Sequence, residues 1–336
     1  NNAFTGTTSI ASLATLQLGD GSSANGTVGG SITDNGALKF DYSGSGSYGG
    51  VISGTGSVTQ VAGTTVLTGT NTYGGGTTIT AGTLQLGNGG ATGSITGNVA
   101  DSGTLAFNHS GSFAFGGNVT GSGGVTQLGG TTILTGTDGY TGATLISGGT
   151  LQIGNGTTTG SIGGTSGVSG SGTLAFDRSD AVSFGAVISG GVGLTQMGAG
   201  TLTLTNTETY SGATAISSGT LALSGGASIA LSSGVADSGT FDISANGATA
   251  ITSLTGAGGV TLGANTLTLT VGGGTYSGVA GGTGGMTFDG SQTLTGDNAY
   301  TGTTTISGGT LQLVDGRGTS CSFACDITYN ATLVFD

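Results

Sequence analysis

The chain contains no proline and no tryptophan, a single histidine, two cysteines and only three Lys or Arg among its 336 residues. Each shortage excludes something. A formal net charge of −12 with three cations rules out a phosphate-backbone partner, because Lys39, Arg178 and Arg317 cannot neutralise a nucleic acid, and it equally rules out a polybasic membrane contact. One histidine excludes any site that needs two imidazoles. Without proline, and without a strict three-residue glycine period, the 78 glycines cannot make collagen. Disorder fails as well, since it requires low hydrophobicity and high charge, whereas charged residues are 5% here and mean hydropathy is positive. No run approaches the ~20 apolar residues of a spanning helix, and no signal peptide opens the chain. Asn1 starts in mid-pattern and Thr332–Asp336 stops inside an apparent strand, so the expectation is a fragment of a longer protein.

What is present is repetition. Residues 59–87 read TQVAGTTVLTGTNTYGGGTTITAGTLQLG, 126–154 read TQLGGTTILTGTDGYTGATLISGGTLQIG, and 195–223 read TQMGAGTLTLTNTETYSGATAISSGTLAL. A decayed copy occupies 285–313, and residues 5–19 are the back half of another. Between these cores recur a second piece, as in GSITDNGALKFD (30–41) and GSITGNVADSGTLAFN (93–108), and a third, as in VISGTGSVTQ (51–60). The large period is 67 residues from Tyr73 to Tyr140 and 70 from Tyr140 to Tyr210. With three motifs per large unit, one turn takes roughly 22 residues, giving about 15 turns and a length of roughly 70 Å.

Segments such as Thr83-Leu84-Gln85-Leu86 alternate apolar and polar residues for four to six positions before Gly, Asn or Asp turns the chain. One such unit cannot bury its apolar face alone, whereas stacking each on its predecessor makes a continuous interior. The expected fold is therefore all-β, a right-handed parallel β-helix running as a single body over 1–336. Its large units are expected at approximately 20–87, 88–154, 155–223 and 224–313, with a partial one at 314–336, and Leu84, Leu151, Leu221 and Leu311 are expected inward and mutually aligned. Missing proline fits, because every rung needs its backbone donors for the ladders on both sides.

The pattern Leu-Thr-Gly-Thr-Asn-x-Tyr-x-Gly-x-Thr-x-Ile-x-x-Gly-Thr-Leu-Gln-Leu-Gly resembles the autotransporter-associated β-strand repeat of passenger domains in type V secreted proteins of Gram-negative bacteria. Clear copies at 59–87, 126–154, 195–223 and 285–313 carry the resemblance over nearly the whole chain. It implies a parallel β-helical passenger, exported through the outer membrane and displayed outside the cell or released. The family's translocating barrel and signal sequence are absent from this chain, so any membrane attachment would run through that missing barrel.

Candidate chemistry is sparse. The acidic residues recur at equivalent turns, Asp41 and Asp177 after the Phe of the second motif and Asp101 and Asp237 before Ser-Gly, which is the mark of turn chemistry. Asp177, Arg178 and Asp180 form the densest charged cluster and read as a solvated loop. His109 reads as a surface-loop residue. The GxGxxG match at Gly44–Gly49 has no helix after it and carries no nucleotide signal. No catalytic residue, cofactor or metal ligand is expected. Tyr73, Tyr140, Tyr210 and Tyr300 hold one position in each core, with Tyr276 in a similar context. An exposed column could stack on glycans, but a corner plug with a wet hydroxyl is the plainer expectation. Cys321 and Cys325 stand where a sister motif has Gly93 and Gly97, and the oxidising route implied by the resemblance makes an intrachain disulfide the natural reading. The function expected is a structural or adhesive extracellular stalk, with host or matrix glycans or proteins, or further copies of itself, as partners. The alternative is a fragment of a carbohydrate-active passenger whose active site lies elsewhere. An ice-binding array is disfavoured because Thr pairs such as Thr77-Thr78 recur only every third turn.

Overall fold

A computed structural model describes residues 5–22, 25–314 and 326–336. They form short parallel strands stacked in register, with no helix among the described residues: a parallel β-solenoid of about 16 turns. Two compact units are distinguished, Asn1–Asn155 with Thr159–Gly172, and Gly156–Thr158 with Thr173–Asp336.

In the first unit the alternation Thr-Leu-Gln-Leu becomes strand Thr83–Gly90, with Leu84 and Leu86 buried and Thr83 and Gln85 only partly covered. Leu84 pairs with Leu105, Leu105 with Val125, Val125 with Thr144 and Thr144 with Val168, so one inward column carries an apolar or Thr side chain on each rung. A second column runs Phe40, Gln60, Ile79, Asp101, through Gly121 to Tyr140. A rung takes about 20 residues, close to the spacing of the three recurring motifs. Successive motifs therefore lie directly on one another: the Phe of the second, the Gln of the third, the Ile of the core.

The second unit repeats the plan. Phe176, Gln196, Ile216, Asp237, Gly256 and Tyr276 form a column in the same order. Val182, Leu202, Leu221, Phe241, Val260 and Ala280 form another. On the outward side Thr268, Thr287, Thr305 and Thr328 stack in single file on successive rungs. Regular Thr stacking is thus not confined to every third turn.

The four core leucines face inward as expected, each with no exposed surface. They are not aligned, which corrects the expectation. The column of Leu84 reaches Thr144 three rungs later, and Leu151 lies seven residues beyond, paired with Thr132 on another face. Leu221 sits between Leu202 and Phe241, and Leu311 between Gln292 and Leu333. The cause is arithmetic: a repeat of 67 or 70 residues is not a whole number of ~20-residue rungs, so each copy turns to a new face.

Corners are shaped by glycine where both conformation and space demand it. Gly82, Gly149 and Gly219 hold the same place in three cores at φ 71°, 68° and 60°. A Cβ on Gly82 or Gly149 would lie 2.1 Å from the carbonyl oxygen of Gly63 or Gly130 in the preceding rung. At the matching bend of the N-terminal half-copy, Leu13 adopts φ 68° and is fully exposed, so the added side chain points into solvent.

Candidate functional site

The repeated tyrosines sit at the start of a chemically uniform corner. Tyr73, Tyr140 and Tyr300 have no exposed surface and Tyr210 has 1%. Each hydroxyl bonds the threonine four residues on: Thr77 at 2.6 Å, Thr144 at 2.7 Å, Thr214 at 2.6 Å and Thr304 at 2.6 Å. The hydroxyls are therefore dry, contrary to the wet corner plug, and these four tyrosines present no exposed column for a glycan to stack on. Burial pushes the Tyr73, Tyr140 and Tyr210 hydroxyls well above their ordinary range. Tyr276 is equally buried, but Ala280 stands where the threonine would be, and its hydroxyl donates to Gly258 O at 2.7 Å instead.

Two residues before each repeat tyrosine lies a buried side chain that accepts a backbone N–H from the preceding rung. Asn71 accepts from Ile52 at 2.9 Å, Asp138 from Val119 at 2.6 Å, Glu208 from Ile188 at 2.5 Å and Asn298 from Ala280 at 2.9 Å. Burial raises Asp138 to about 7 and Glu208 to about 7, against the lowering effect of the accepted N–H.

Asp34, Asp101 and Asp237 are fully buried inside the columns. Each accepts the N–H two residues on, from Gly36 at 2.9 Å, Gly103 at 2.9 Å and Gly239 at 3.0 Å, which is the turn chemistry expected of Asp before x-Gly. The second oxygen of each has no hydrogen-bond partner. Burial raises all three, Asp101 and Asp237 to about 6, while their backbone N–H bonds lower them. Space for each carboxyl is made by a glycine one rung later: a Cβ on Gly56 or Gly123 would lie 2.3 Å from the carboxyl carbon of Asp34 or Asp101, and one on Gly258 would lie 2.4 Å from Asp237 Oδ1.

The Gln of each Thr-Gln pair is also a corner device. Gln60, Gln127 and Gln196 are buried, and their Nε2 groups donate to Ala62, Gly129 and Gly198 carbonyls at 2.6, 2.8 and 2.9 Å. His109 is not in a surface loop. It lies in strand Thr104–Phe115 at a register shift, 4% exposed, bonded through Nε2 to Gly93 O at 2.8 Å and stacked 4.4 Å from the Phe113 ring. Arg178 and Asp180 form a two-pronged ion pair, Nε–Oδ1 2.9 Å and Nη2–Oδ2 2.7 Å, and the guanidinium lowers the Asp180 pKa. Cys321 and Cys325 lie outside the described residues.

None of these repeated corners brings an acid and a base together. Among the described residues no three His, Cys, Asp or Glu side chains cluster as metal ligands, and no helix is long and apolar enough to cross a membrane. The shallow clefts beside Thr214 and Val235, and beside Gly274 and Gln292, carry no titratable side chain. The feature that recurs is structural: Tyr–Thr, its amide or acid two residues earlier, and the buried Gln.

The segments that hold it match one family model, the passenger-associated transport repeat, over residues 62–86, 129–153, 194–223 and 289–313. Four segments of the chain are thus similar to this repeat. Each repeat contains one of Tyr73, Tyr140, Tyr210 and Tyr300 with its threonine partner, and Tyr276 falls outside them. Such repeats are associated with autotransporter passengers, and a parallel β-solenoid carrying four of them fits a passenger domain of that kind. No curated protein and no solved structure matches the chain. The buried Gln and the acids at 138 and 208 were not read from the sequence as interior groups, although the recurrence Asn-x-Tyr, Asp-x-Tyr, Glu-x-Tyr, Asn-x-Tyr was open to view.

Proposed function

We propose that this chain is a structural shaft within an autotransporter passenger, displayed at the cell surface or released from it, and that it performs no catalysis of its own. The observation that carries this reading is the repeat corner. Four copies spend their tyrosine and threonine hydroxyls on each other within a corner, and their Asn, Asp or Glu side chains on the preceding rung, leaving none of them presented to a ligand. Tight rungs of about 20 residues leave little chain for projecting loops that could assemble a site. Rigidity follows from backbone ladders running through every rung, each using donors that a proline would have removed. A rigid shaft serves adhesion by carrying a distal or lateral contact surface away from the cell, with host or matrix glycans or proteins, or sister copies, as partners.

The test uses the parent protein expressed in its own cells with an epitope placed before this segment. Surface labelling of intact cells should reach the epitope, and deleting whole rungs should shorten its distance from the outer membrane. An epitope protected from externally added antibody, or turnover of pectic, glucan or peptide substrates by the purified chain, would overturn the reading.

A further inference from the structure

The four corners before the repeat tyrosines are one structure built with two chemistries. In the first, Asn71 uses both ends of its amide. Its Oδ1 accepts the Ile52 N–H, and its Nδ2 donates to Gly69 O at 3.0 Å and Ser94 O at 2.9 Å. In the last, Asn298 accepts from Ala280 and donates to Gly296 O at 3.0 Å. The amide is satisfied because the place occupied by its nitrogen faces carbonyl oxygens, which can only accept.

The backbone around Asp138 repeats that of Asn71. Asn71 N–H donates to Ser94 O and Ser94 N–H to Gly69 O, at 2.9 and 3.1 Å; Asp138 N–H donates to Ser161 O and Ser161 N–H to Gly136 O, both at 3.1 Å. Around Glu208 the same pair of bonds joins Ser228 O and Asn206 O, at 2.8 and 3.2 Å. One carboxyl oxygen does what the amide oxygen does. The other, Asp138 Oδ2 or Glu208 Oε1, is buried and has no hydrogen-bond partner, whereas the second end of the sister amide meets carbonyls. Asp138 is 3% exposed and Glu208 2%, so water does not supply the missing donor from bulk solvent. A carboxylate there sets a negative oxygen against carbonyl oxygens, whereas a carboxylic acid has the one O–H that the place requires.

We propose that Asp138 and Glu208 are carried in the folded chain as neutral, protonated acids that replace the asparagine amide, so that two of the four corners loosen on deprotonation while the Asn71 and Asn298 corners are indifferent to pH. The proton on Asp138 Oδ2 is donated to Gly136 O or Ser161 O, and that on Glu208 Oε1 to Asn206 O or Ser228 O; on ionisation it passes to solvent. The surroundings leave no other counterpart. The titratable groups facing Asp138 are Tyr140 on its own segment and, beyond that ring, Asp101; Glu208 faces Tyr210. The neighbouring rungs contribute Asn118 and Val119, and Ser161 and Ile162, to the first corner, and Ile188, and Ser228 and Ile229, to the second, none of them titratable. Among the described basic side chains, Lys39 pairs on an outward face with Gln17 and Thr59, Arg178 holds Asp180, and the His109 ring bonds Gly93. The direction of the effect follows from burial, which lifts both acids to about 7, above their unfolded values. Between about pH 4 and 7 the folded chain holds protons the unfolded chain has lost, so stability is greatest in mild acid and falls as pH rises through that window.

The test compares the purified 336-residue chain with D138N, E208Q, the double variant and the reciprocal N71D. Carboxyl-13C NMR of Asp-labelled protein should show a resonance titrating near neutrality that disappears in D138N. Thermal unfolding midpoints should fall for the wild type from about pH 5 to 8, and the double variant should match it in acid but exceed it at pH 8. N71D should behave as wild type in acid and lose stability above neutrality. A D138N-sensitive resonance titrating in the ordinary carboxylate range near 4, or a double variant whose pH profile runs parallel to wild type, would overturn the proposal. If the substituted chains do not fold, the wild-type titration decides alone: an aspartate carboxyl titrating near 7, above the values of about 6 for Asp101 and Asp237, supports the assignment, and its absence refutes it.

Discussion

The two units each contain the succession Phe, Gln, Ile, Asp, Gly, Tyr, from Phe40 to Tyr140 in the first and from Phe176 to Tyr276 in the second. The Gln and the Asp do the same job in both. Gln60 and Gln196 close a corner onto a backbone carbonyl, and Asp101 and Asp237 accept a glycine N–H in the bend below a glycine that clears room for the carboxyl. The tyrosines part company. Tyr140 belongs to a matched repeat and meets Thr144, which in turn bonds Thr165 at 2.9 Å; Tyr276 lies between repeats, has Ala280 at the fourth position, and turns to Gly258 O. The difference separates two controls. Which residue stands on which is set by rung length, and is shared. How a buried hydroxyl is satisfied depends on whether a threonine stands four residues on, and varies.

The largest effect should come from filling the space beneath the acids. Gly123→Ala and Gly258→Ala each place a Cβ within 2.4 Å of a buried carboxyl, where neither the ladder nor the short Asp side chain can yield. Both should lose about 3 kcal/mol or more in denaturant unfolding. Asp101→Ala combined with Gly123→Ala should recover part of that loss; a G123A chain as stable as wild type would show the two columns to be looser than described.

Next comes pH. With Asp101 and Asp237 lifted by burial to about 6 from unfolded values near 4, the folded state holds extra protons in that interval, so each column stabilises most in acid and loses stability as pH rises through about 6. Asp101→Asn and Asp237→Asn should each flatten the pH dependence between about pH 4 and 7, by 1–3 kcal/mol in order of magnitude. Equal flattening from the two variants would confirm that the columns are equivalent, and unequal flattening would divide them.

The tyrosine hydroxyls should matter least. Tyr140→Phe and Tyr276→Phe should each cost about 1 kcal/mol. Thr144→Val should reproduce the first loss, while Ala280→Val should leave the Tyr276 bond to Gly258 in place. Coupling of Y140F with T144V in a double-mutant cycle, and its absence between Tyr276 and position 280, sharpens the contrast.

Much of this architecture was legible because it is periodic. Thr-Leu-Gln-Leu alternation, Gly at every bend and three motifs per large unit led to a stacked parallel solenoid with Leu84, Leu151, Leu221 and Leu311 inside. His109 was misread because its neighbours Asn108 and Ser110 look like loop residues. The strand there shifts register rather than ending, which lets an imidazole turn inward beneath Phe113. The turn chemistry of Asp101 and Asp237 was legible, but their burial and that of Gln60, Gln127 and Gln196 were not, because polar residues at bends are solvated in most folds, whereas here the next rung covers these bends.

Amino-acid order alone determined that each unit must stack, because a strand with one apolar face and no partner in its own rung can bury that face only against a copy of itself. Tertiary structure decided which residues share a column, since a 67- or 70-residue repeat wound at about 20 residues per rung turns each copy to a new face. It also decided the protonation chemistry of the corners. Asn71 and Asp138 occupy equivalent places in the string, and it is burial under the adjoining rungs that pushes the acid towards neutrality while its sister amide finds carbonyl partners.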